Sequence, residues 1–142
     1  MILKEFLPHP AFREFVRCYR IVHLEFDKRM IPSFKAYPPR PEECLHFFLR
    51  DGESVELINC LKKDFRLTVA LMGQQTSIIN RYPGENFLNF QIVFQPTGLF
   101  CLTGVPSSER FNQYIDAETI FSKKFAPFTT HCSRLKTTKR CF

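Results

Sequence analysis

The sequence contains no tryptophan, only five glycines and no long apolar segment, and these shortages exclude several classes of protein. No run approaches the roughly 20 consecutive apolar residues of a membrane-spanning helix, so we expect no membrane insertion. The glycines stand singly in turn-like contexts, and neither a glycine-rich phosphate loop nor a nucleophile elbow is present. The common phosphate-binding and serine hydrolase motifs are therefore excluded.

Paired cysteines are also missing, although the chain contains six cysteines. They show no C-x-x-C pair and no regular spacing, and Met1–Pro10 lacks the apolar core of a signal peptide. The six are Cys18, Cys44, Cys60, Cys101, Cys132 and Cys141. This pattern predicts reduced thiols in a cytoplasmic protein rather than a disulfide framework.

A strong charge of one sign is absent from most of the chain, although the formal net charge is +6. Phe125–Phe142 contains four basic residues and no acidic residue, which leaves +2 for residues 1–124. We therefore expect no basic groove in the folded part, no direct DNA binding by this chain, and a basic, mobile tail at residues 125–142. Non-specific binding of that tail to nucleic acid remains the third functional hypothesis.

Phenylalanine is abundant, with 17 Phe and 4 Tyr among 142 residues. A chain of this length is expected to form one domain around one core, here residues 1–124. Because aromatic side chains fit the pleated surface of a sheet, this composition favours a sheet-rich fold.

Short apolar segments separated by Gly, Pro or charged turns predict a series of strands. The predicted strands are Cys18–Phe26, Cys44–Leu49, Ser54–Cys60, Leu67–Met72, Thr76–Tyr82 and Phe87–Phe94. No connection between them is long enough for a crossover helix, so an antiparallel sandwich or small barrel is favoured over a parallel sheet. The turn at Asp51–Gly52 predicts that Cys44–Leu49 and Ser54–Cys60 form a hairpin.

The two ends of this series carry further local signals. Phe12, Phe15, Val16 and Tyr19 have helical spacing after Pro10, which predicts a short helix there. Lys28–Pro41 contains four prolines and is predicted to be a loop or an edge segment. Asp116 is predicted to cap a short helix at Ala117–Phe121.

The segment Gln91–Pro106, QIVFQPTGLFCLTGVP, predicts a strand followed by a short helix. Pro96 has no amide hydrogen for a ladder, and the Thr97 hydroxyl is placed to cap the helix. Gly104 suits the left-handed position at which helices end. In the preceding strand the even-numbered positions from Leu88 to Phe94 are all apolar, so that face is predicted to be the buried one.

A metal site is the main alternative suggested by residue types. Cys44 and His46 project from the same side of one predicted strand, and His23 lies on another. Imidazole and thiolate groups that converge in a barrel can hold zinc or iron, so a small cupin-type metalloenzyme is the alternative hypothesis. The sequence selects no cysteine and histidine as a catalytic pair. We predict a protein that is not an enzyme and has no metal or other cofactor.

Three motifs occur in the order and spacing of a known family. Phe94–Pro106 reads F-x-P-x-G-L-x-x-L-x-G-x-P, and Gly73–Gln74 precede it. Pro41–Cys44 reads P-E-E-C where the family has P-D-G-C, so that Glu43 replaces a glycine. From Ile2 to Phe125 the chain resembles the N-terminal sensor domain of AraC-type transcriptional regulators.

This resemblance implies a mainly β protein with short helices (α+β), in the form of a cupin-like antiparallel β-barrel followed by short C-terminal helices. It also implies a cytoplasmic bacterial domain that senses a small-molecule effector, forms a homodimer, or does both. DNA binding in the family belongs to separate C-terminal helix-turn-helix units, which this sequence lacks. The chain is therefore expected to be a truncated, shortened or frame-shifted regulator, or a free-standing sensor domain.

The resemblance provides no transferable set of ligand contacts, because members of the family respond to different effectors. The candidate ligand-binding residues are therefore polar residues on otherwise apolar strands: Arg20 and His46, followed by His23 and Gln91. Each of them can instead be a paired core group or face outward. An effector in the barrel is expected to bias the docking of the short helices. In the alternative, phenylalanine side chains fill the barrel, and dimerisation is then the only expected activity.

Overall fold

The computed structural model describes residues 1–27, 29, 35–57 and 67–121, and strands are the main element within these ranges. The strands are β1 (Ile2–Phe6), β2 (Val16–Glu25), β3 (Lys35–Tyr37), β4 (Cys44–Phe48), β5 (Glu53–Leu57), β6 (Val69–Met72), β7 (Ile79–Pro83), β8 (Asn86–Phe94) and β9 (Tyr114–Asp116). The helices are α1 (Gly98–Thr103), α2 (Ser107–Arg110) and α3 (Ala117–Phe121), and a 3₁₀ turn covers Pro10–Phe12. The predicted mainly β fold with short helices is confirmed.

The strands form two antiparallel sheets that pack against each other. The large sheet has the order β1-β2-β8-β4-β6-β9, and the small sheet has the order β3-β7-β5. Phe48, Met72 and Phe87 of the large sheet share one core cluster with Val55 and Ile79 of the small sheet. Each sheet therefore has an inner face that is turned toward the other sheet.

The predicted barrel is wrong for the described strands, because no ladder joins the two sheets. The chain crosses between the sheets near residues 51–52 and 84. At these crossings the two sheets are connected by single hydrogen bonds and isolated bridges. The Gly84 N–H donates to Gly52 O at 3.0 Å, and Asp51 forms an isolated bridge with Phe87. Single bridges do not extend into a ladder, so the sheets stay open at their edges.

The predicted hairpin of β4 and β5 is also wrong. β4 pairs with β8 on one side and with β6 on the other, whereas β5 pairs with β7 in the small sheet. Because both edges of β4 are occupied, its backbone has no ladder hydrogen bonds left for β5. Residues 49–52 therefore carry the chain from one sheet to the other.

The predicted helix after Pro10 is reduced to the 3₁₀ turn, and the chain enters β2 at Val16. An unpredicted strand, β1, pairs with β2 along its whole length, from Ile2 opposite His23 to Phe6 opposite Tyr19. β8 pairs with the other edge of β2. Two ladders of hydrogen bonds outweigh the weak preference of a short segment for a helix, so tertiary pairing overrides the helical spacing.

The inner face of β8 carries its odd-numbered residues, which reverses the predicted burial. Asn89 and Gln91 are buried, whereas Phe90 and Ile92 are half-buried. β8 lies between β2 and β4, and its even-numbered residues pack in a cluster that includes residues of α1 and α3. Both faces of the strand are therefore covered, and the amides of the inner face are buried despite their polarity.

The helical segment after β8 agrees with the prediction in part. Gly104 has φ of 72° at the end of α1, and its N–H donates to Phe100 O at 2.7 Å. Thr97 stands before α1 but has φ of 70° and makes no side-chain cap bond, so the predicted hydroxyl cap is wrong. Asp116 does cap α3, because its Oδ1 accepts from the Glu118 N–H at 2.9 Å.

Gly98 of the sequence motif allows a close approach between α1 and the N-terminal segment. A Cβ at this position would lie 2.2 Å from Phe15 O. We predict that Gly98→Ala lowers the free energy of unfolding by roughly 1–2 kcal/mol, because the backbone must shift to admit the methyl group. Gly52→Ala is the matched control, since its Cβ would lie 3.8 Å from Leu67 O, the nearest atom. Urea unfolding that finds the two variants equally stable would contradict the close packing.

The remaining predicted segments are covered only in part by the described residues. β3 lies within the predicted loop or edge segment at residues 28–41 and is an edge strand of the small sheet. The predicted basic tail at residues 125–142 lies outside the described residues, as do residues 58–60 of the third predicted strand. Within the described ranges, no helix is long and apolar enough to cross a membrane.

Candidate ligand cavity between the sheets

A cavity of about 250 Å³ lies between the inner faces of the two sheets. Its apolar lining includes Leu3, Val22, Leu24, Met72, Ile79 and Phe87. Polar side chains from both sheets enter the same space. A mainly apolar cavity with a few convergent polar groups is typical of a site for a small organic molecule.

Three of the four predicted ligand-binding residues lie side by side in this cavity. Arg20 in β2 is opposite Gln91 in β8, and Gln91 is opposite His46 in β4. Directly opposed residues of an antiparallel sheet share a face, so these side chains form a polar row across the large sheet. Within this polar row, Arg20 Nη1 donates to Gln91 Oε1 at 3.3 Å.

The fourth predicted residue, His23, lies on the other face of the large sheet. Alternation along β2 turns it away from Arg20, and it does not line the cavity. Its Nε2 is 3.2 Å from Asn86 Oδ1 and 3.4 Å from Glu25 Oε1. His23 is therefore a paired residue of the outer face rather than part of the polar row.

Carboxylates hold Arg20 at one end of the polar row. Arg20 Nε donates to Glu5 Oε1 at 2.7 Å, and its Nη1 donates to Glu42 Oε2 at 3.3 Å. Glu42 also pairs with Arg17 and lies 4.0 Å from Arg40. Burial alone would raise the pKa of the Glu42 carboxyl, but hydrogen bonds from Arg17 and Arg20 outweigh it and lower that pKa. The charges at this end of the cavity therefore compensate one another.

Arg81 in β7 brings a second arginine into the cavity, from the small sheet. Its Nε donates to Glu53 Oε2 at 2.8 Å, and its Nη2 donates to Glu53 Oε1. The Tyr37 ring centre lies 4.7 Å from Arg81 Cζ, which is a cation–π distance. Desolvation alone would lower the pKa of Arg81, but the charge and hydrogen bonds of Glu53 raise it. Arg81 is thus a permanent cation that already has its counter-ion.

His46 is the neutral member of the polar row, with only 2% of its surface exposed. Burial lowers the pKa of the imidazole well below its usual value, and the charges of Arg81 and Arg20 lower it further. Asn89 Nδ2 lies 2.9 Å from His46 Nδ1. Because an amide nitrogen only donates, Nδ1 accepts this bond and the ring proton is on Nε2.

Two buried polar atoms of cavity-lining residues have no hydrogen-bond partner within the described part of the chain. They are His46 Nε2 and Gln75 Oε1. Gln75 is 7% exposed, and its Nε2 donates to Gly73 O at 2.9 Å, which orients the amide. An unpaired buried donor and an unpaired buried acceptor each cost free energy. Both atoms are fully buried, so neither is open to a molecule in the cavity as the side chains stand.

Cys44 and His46 lie on the same side of β4, as predicted, and both line the cavity. Burial raises the pKa of the Cys44 thiol to about 12, with a contribution from the charge of Glu42, so the thiol stays protonated at neutral pH. His23, the third residue considered for a metal site, lies on the other face. Among the residues that the structure describes, no group of three or more His, Cys, Asp or Glu side chains is placed to hold a metal ion.

The buried ion pair of Glu43 and Arg110 is not predicted from the sequence. Arg110 in α2 is 1% exposed, and its Nε and Nη2 donate to Glu43 Oε1 and Oε2 at 3.0 and 3.1 Å. The available signal is the replacement of the motif glycine by Glu43, because a charge at the start of a buried strand needs a partner. The pair ties α2 to the start of β4, directly beside Glu42 at the cavity.

Arg81 is likewise absent from the predicted site residues. It follows Ile79 by two positions in β7, so both side chains share the inner face of the small sheet. An arginine in phase with a buried isoleucine is a weak signal by itself, since most arginines are exposed. Only the pairing of β7 with β5, which brings Glu53 to Arg81, identifies it as a buried group.

Comparison with known proteins gives one family match. The model of a family described as a domain of unknown function (DUF6597) matches residues 4–116. The matched range includes β2 to β9, the last three residues of β1, and α1 and α2. No curated protein and no solved structure matches this chain.

Proposed function

We propose, given that this chain belongs to the DUF6597 family of unknown function, that it is the effector-sensing and dimerisation domain of an AraC-type transcriptional regulator. The cavity carries this proposal. It is about 250 Å³ in volume, and Arg20, His46 and Gln91 bring polar groups to its mainly apolar lining. The three sequence motifs support the likeness to AraC-type sensors, and a cupin-like relationship of the two sheets belongs to the same proposal.

The proposed route from the cavity to the helices runs through two adjacent glutamates. Glu42 lines the cavity and bonds Arg20, whereas Glu43 bonds Arg110 in α2. A ligand that alters the position of Glu42 therefore acts on the residue next to the anchor of α2. Such a ligand shifts the balance between two helix arrangements only if it binds them with different affinity.

The proposed dimer surface is the α1–α2 patch, defined by Phe100, Leu102 and Phe111. These side chains are 47%, 53% and 41% exposed, although Leu99 on the inner side of α1 is fully buried. Exposed apolar side chains that lie close together in the chain are typical of an interaction surface. A second copy of the same domain is the proposed partner, because most soluble oligomers are homodimers.

Fusing this chain to a DNA-binding domain that represses a reporter gene only as a dimer tests the proposal. We expect repression by the wild-type chain. Leu102→Asp should reduce it at least about tenfold, because a charge at a dimer interface loses its hydration. Phe12→Asp is the matched control, since Phe12 is 52% exposed but lies in the N-terminal 3₁₀ turn. Absence of repression by the wild-type fusion, or equal loss in both variants, would contradict the proposed dimerisation.

A further inference from the structure

We infer that the cavity binds a small monocarboxylate, with the carboxylate at the polar end of the cavity and the apolar body between the two sheets. This inference rests on the proposed function, because it names the chemical class of the effector. Three features support it: the balance of charges at the polar end, two accessible hydrogen-bond donors, and the change from polar to apolar lining along β2.

The polar end of the cavity brings together three arginines and two carboxylates of the described residues. Arg20 bonds Glu5 and Glu42, and Arg17 also bonds Glu42. Arg40 lines the cavity with its side chain 52% exposed, and it lies 4.0 Å from the same Glu42. That distance is longer than a hydrogen bond, so Arg40 is the least compensated of the three arginines. One further carboxylate would give each arginine a counter-ion.

The remaining ionisable groups of the cavity do not alter this balance. Arg81 bonds Glu53 through two nitrogens and forms a neutral pair with it. His46 is a neutral ring at pH 7, because burial lowers its pKa. The polar end therefore keeps an excess of one positive charge, which favours an anionic ligand over an uncharged or cationic one.

Two hydrogen-bond donors beside Arg40 are accessible to a ligand. Arg20 Nη1 donates to Gln91 Oε1 and to Glu42 Oε2, each at 3.3 Å, and Arg40 Nη1 lies 4.0 Å from that same Glu42 oxygen. These contacts place Arg20, Gln91 and Arg40 within reach of one small group. Arg20 Nη2 and Gln91 Nε2 make no hydrogen bond within the described part of the chain, and neither is one of its buried unpaired atoms. Both donors therefore remain open, and a carboxylate offers them acceptors.

The lining changes from polar to apolar along β2. Arg20, Val22 and Leu24 share the inner face of this strand and all line the cavity. Leu24 lies opposite Phe87 of β8, and both are buried, whereas Arg40 is exposed. At about 3.3 Å per residue, roughly 13 Å of strand separates Arg20 from Leu24. A ligand with its carboxylate at the open, polar end therefore extends its apolar body toward Leu24 and Phe87.

Three probes test this chemistry on the full chain: cyclohexanecarboxylate, cyclohexanecarboxamide and acetate. A six-membered ring fits, because an interior cavity of about 150 Å³ holds benzene and this one has a volume of about 250 Å³. Titration of each probe at about pH 7.5, followed by two-dimensional NMR, gives three dissociation constants. We expect cyclohexanecarboxylate to bind about tenfold more tightly than the carboxamide, which has the same shape without the charge. Acetate should bind still more weakly, because it lacks the apolar body.

The same titrations can overturn the inference. Carboxamide or acetate binding as tightly as cyclohexanecarboxylate would do so, and so would the absence of binding by all three probes. The dimerisation reporter uses no ligand, so a failure of carboxylate binding and a failure of dimerisation are separate results.

A variant of Arg40 locates the carboxylate. Arg40→Gln should weaken the binding of cyclohexanecarboxylate about fivefold and leave that of the carboxamide unchanged, because it removes only the excess charge. Lys4→Gln is the matched control: it removes the same charge from β1, between Leu3 and Glu5, which line the cavity, and so from the other face of the strand. Undiminished carboxylate binding by Arg40→Gln, or an equal loss in Lys4→Gln, would overturn the inference.

Discussion

Lowering the pH from about 7.5 to about 4.5 should reduce the free energy of unfolding by roughly 2–3 kcal/mol through His46 alone. An unfolded histidine has a pKa of about 6.5, whereas burial holds the pKa of His46 well below that value in the fold. Below about pH 6.5 the unfolded chain therefore binds a proton that the folded chain does not. The contribution of His46 to the free energy of unfolding is therefore fully present above this pH. Below it, this contribution falls by about 1.4 kcal/mol per pH unit until the pKa of the folded state is reached.

The surroundings of His46 explain why the folded protein resists protonation at this residue. Arg81 approaches from the small sheet and Arg20 lies in the same polar row, so both positive charges oppose a third. Asn89 Nδ2 already donates to Nδ1, and a protonated ring would place two donors face to face. Protonation therefore requires the cavity to open or the fold to loosen.

Urea unfolding between pH 4.5 and 7.5 measures this effect when wild type is compared with His46→Gln. The carboxyl groups are common to both proteins, so the difference in their free energies of unfolding isolates the imidazole. We expect that difference to change by roughly 2–3 kcal/mol across the range. Parallel profiles for wild type and His46→Gln would show that His46 is not buried as a neutral ring.

Replacing Glu43 by glycine, the residue of the family motif, should destabilise the protein by about 3–5 kcal/mol. Arg110 is 1% exposed and receives its carboxylate partner from Glu43. Removing one member of a buried ion pair leaves the other charge without solvent and without a counter-ion. The loss is expected to appear in urea unfolding as a lower midpoint with an unchanged slope.

A second substitution separates the ion pair from the effect of glycine on the backbone. In Glu43→Gly combined with Arg110→Met, the unpaired charge is gone and most of the stability should return. Glu109→Gln removes an exposed acid from the same helix and should change stability by less than about 0.5 kcal/mol. If the double variant is as unstable as Glu43→Gly, the backbone at position 43 rather than the ion pair is responsible.

The sequence predicts some of the residues that line the cavity, but not the complete set. Arg20, His46 and Gln91 are identifiable because each is a polar residue within an apolar strand, and all three line the cavity. His23 satisfies the same criterion but lies on the other face. The criterion fails there because the sequence does not reveal which face of β2 is the inner one. The cavity residues Gln75 and Arg81 are recognisable only after strand pairing is known.

Turn and cap signals act over a few residues, so the sequence by itself determines the strands β4, β6 and β8, the end of α1 at Gly104 and the cap at Asp116. The two helices predicted individually after β8 correspond to α1 and α3, whereas α2 is not predicted. These features depend on residues a few positions apart in the chain, so a single sequence contains all the residues that determine them.

Only the tertiary structure decided the sheet order, the inner face of β8 and the partners of the buried charges. Arg20 and Gln91 are 71 residues apart in the chain, and Arg110 and Glu43 are 67 residues apart. The pattern of polar residues in β8 also leads to a wrong prediction of its inner face, because the more deeply buried face is the one that carries Asn89 and Gln91. Burial of a polar side chain depends on partners brought by other strands, and those partners exist as neighbours only once the sheets have formed.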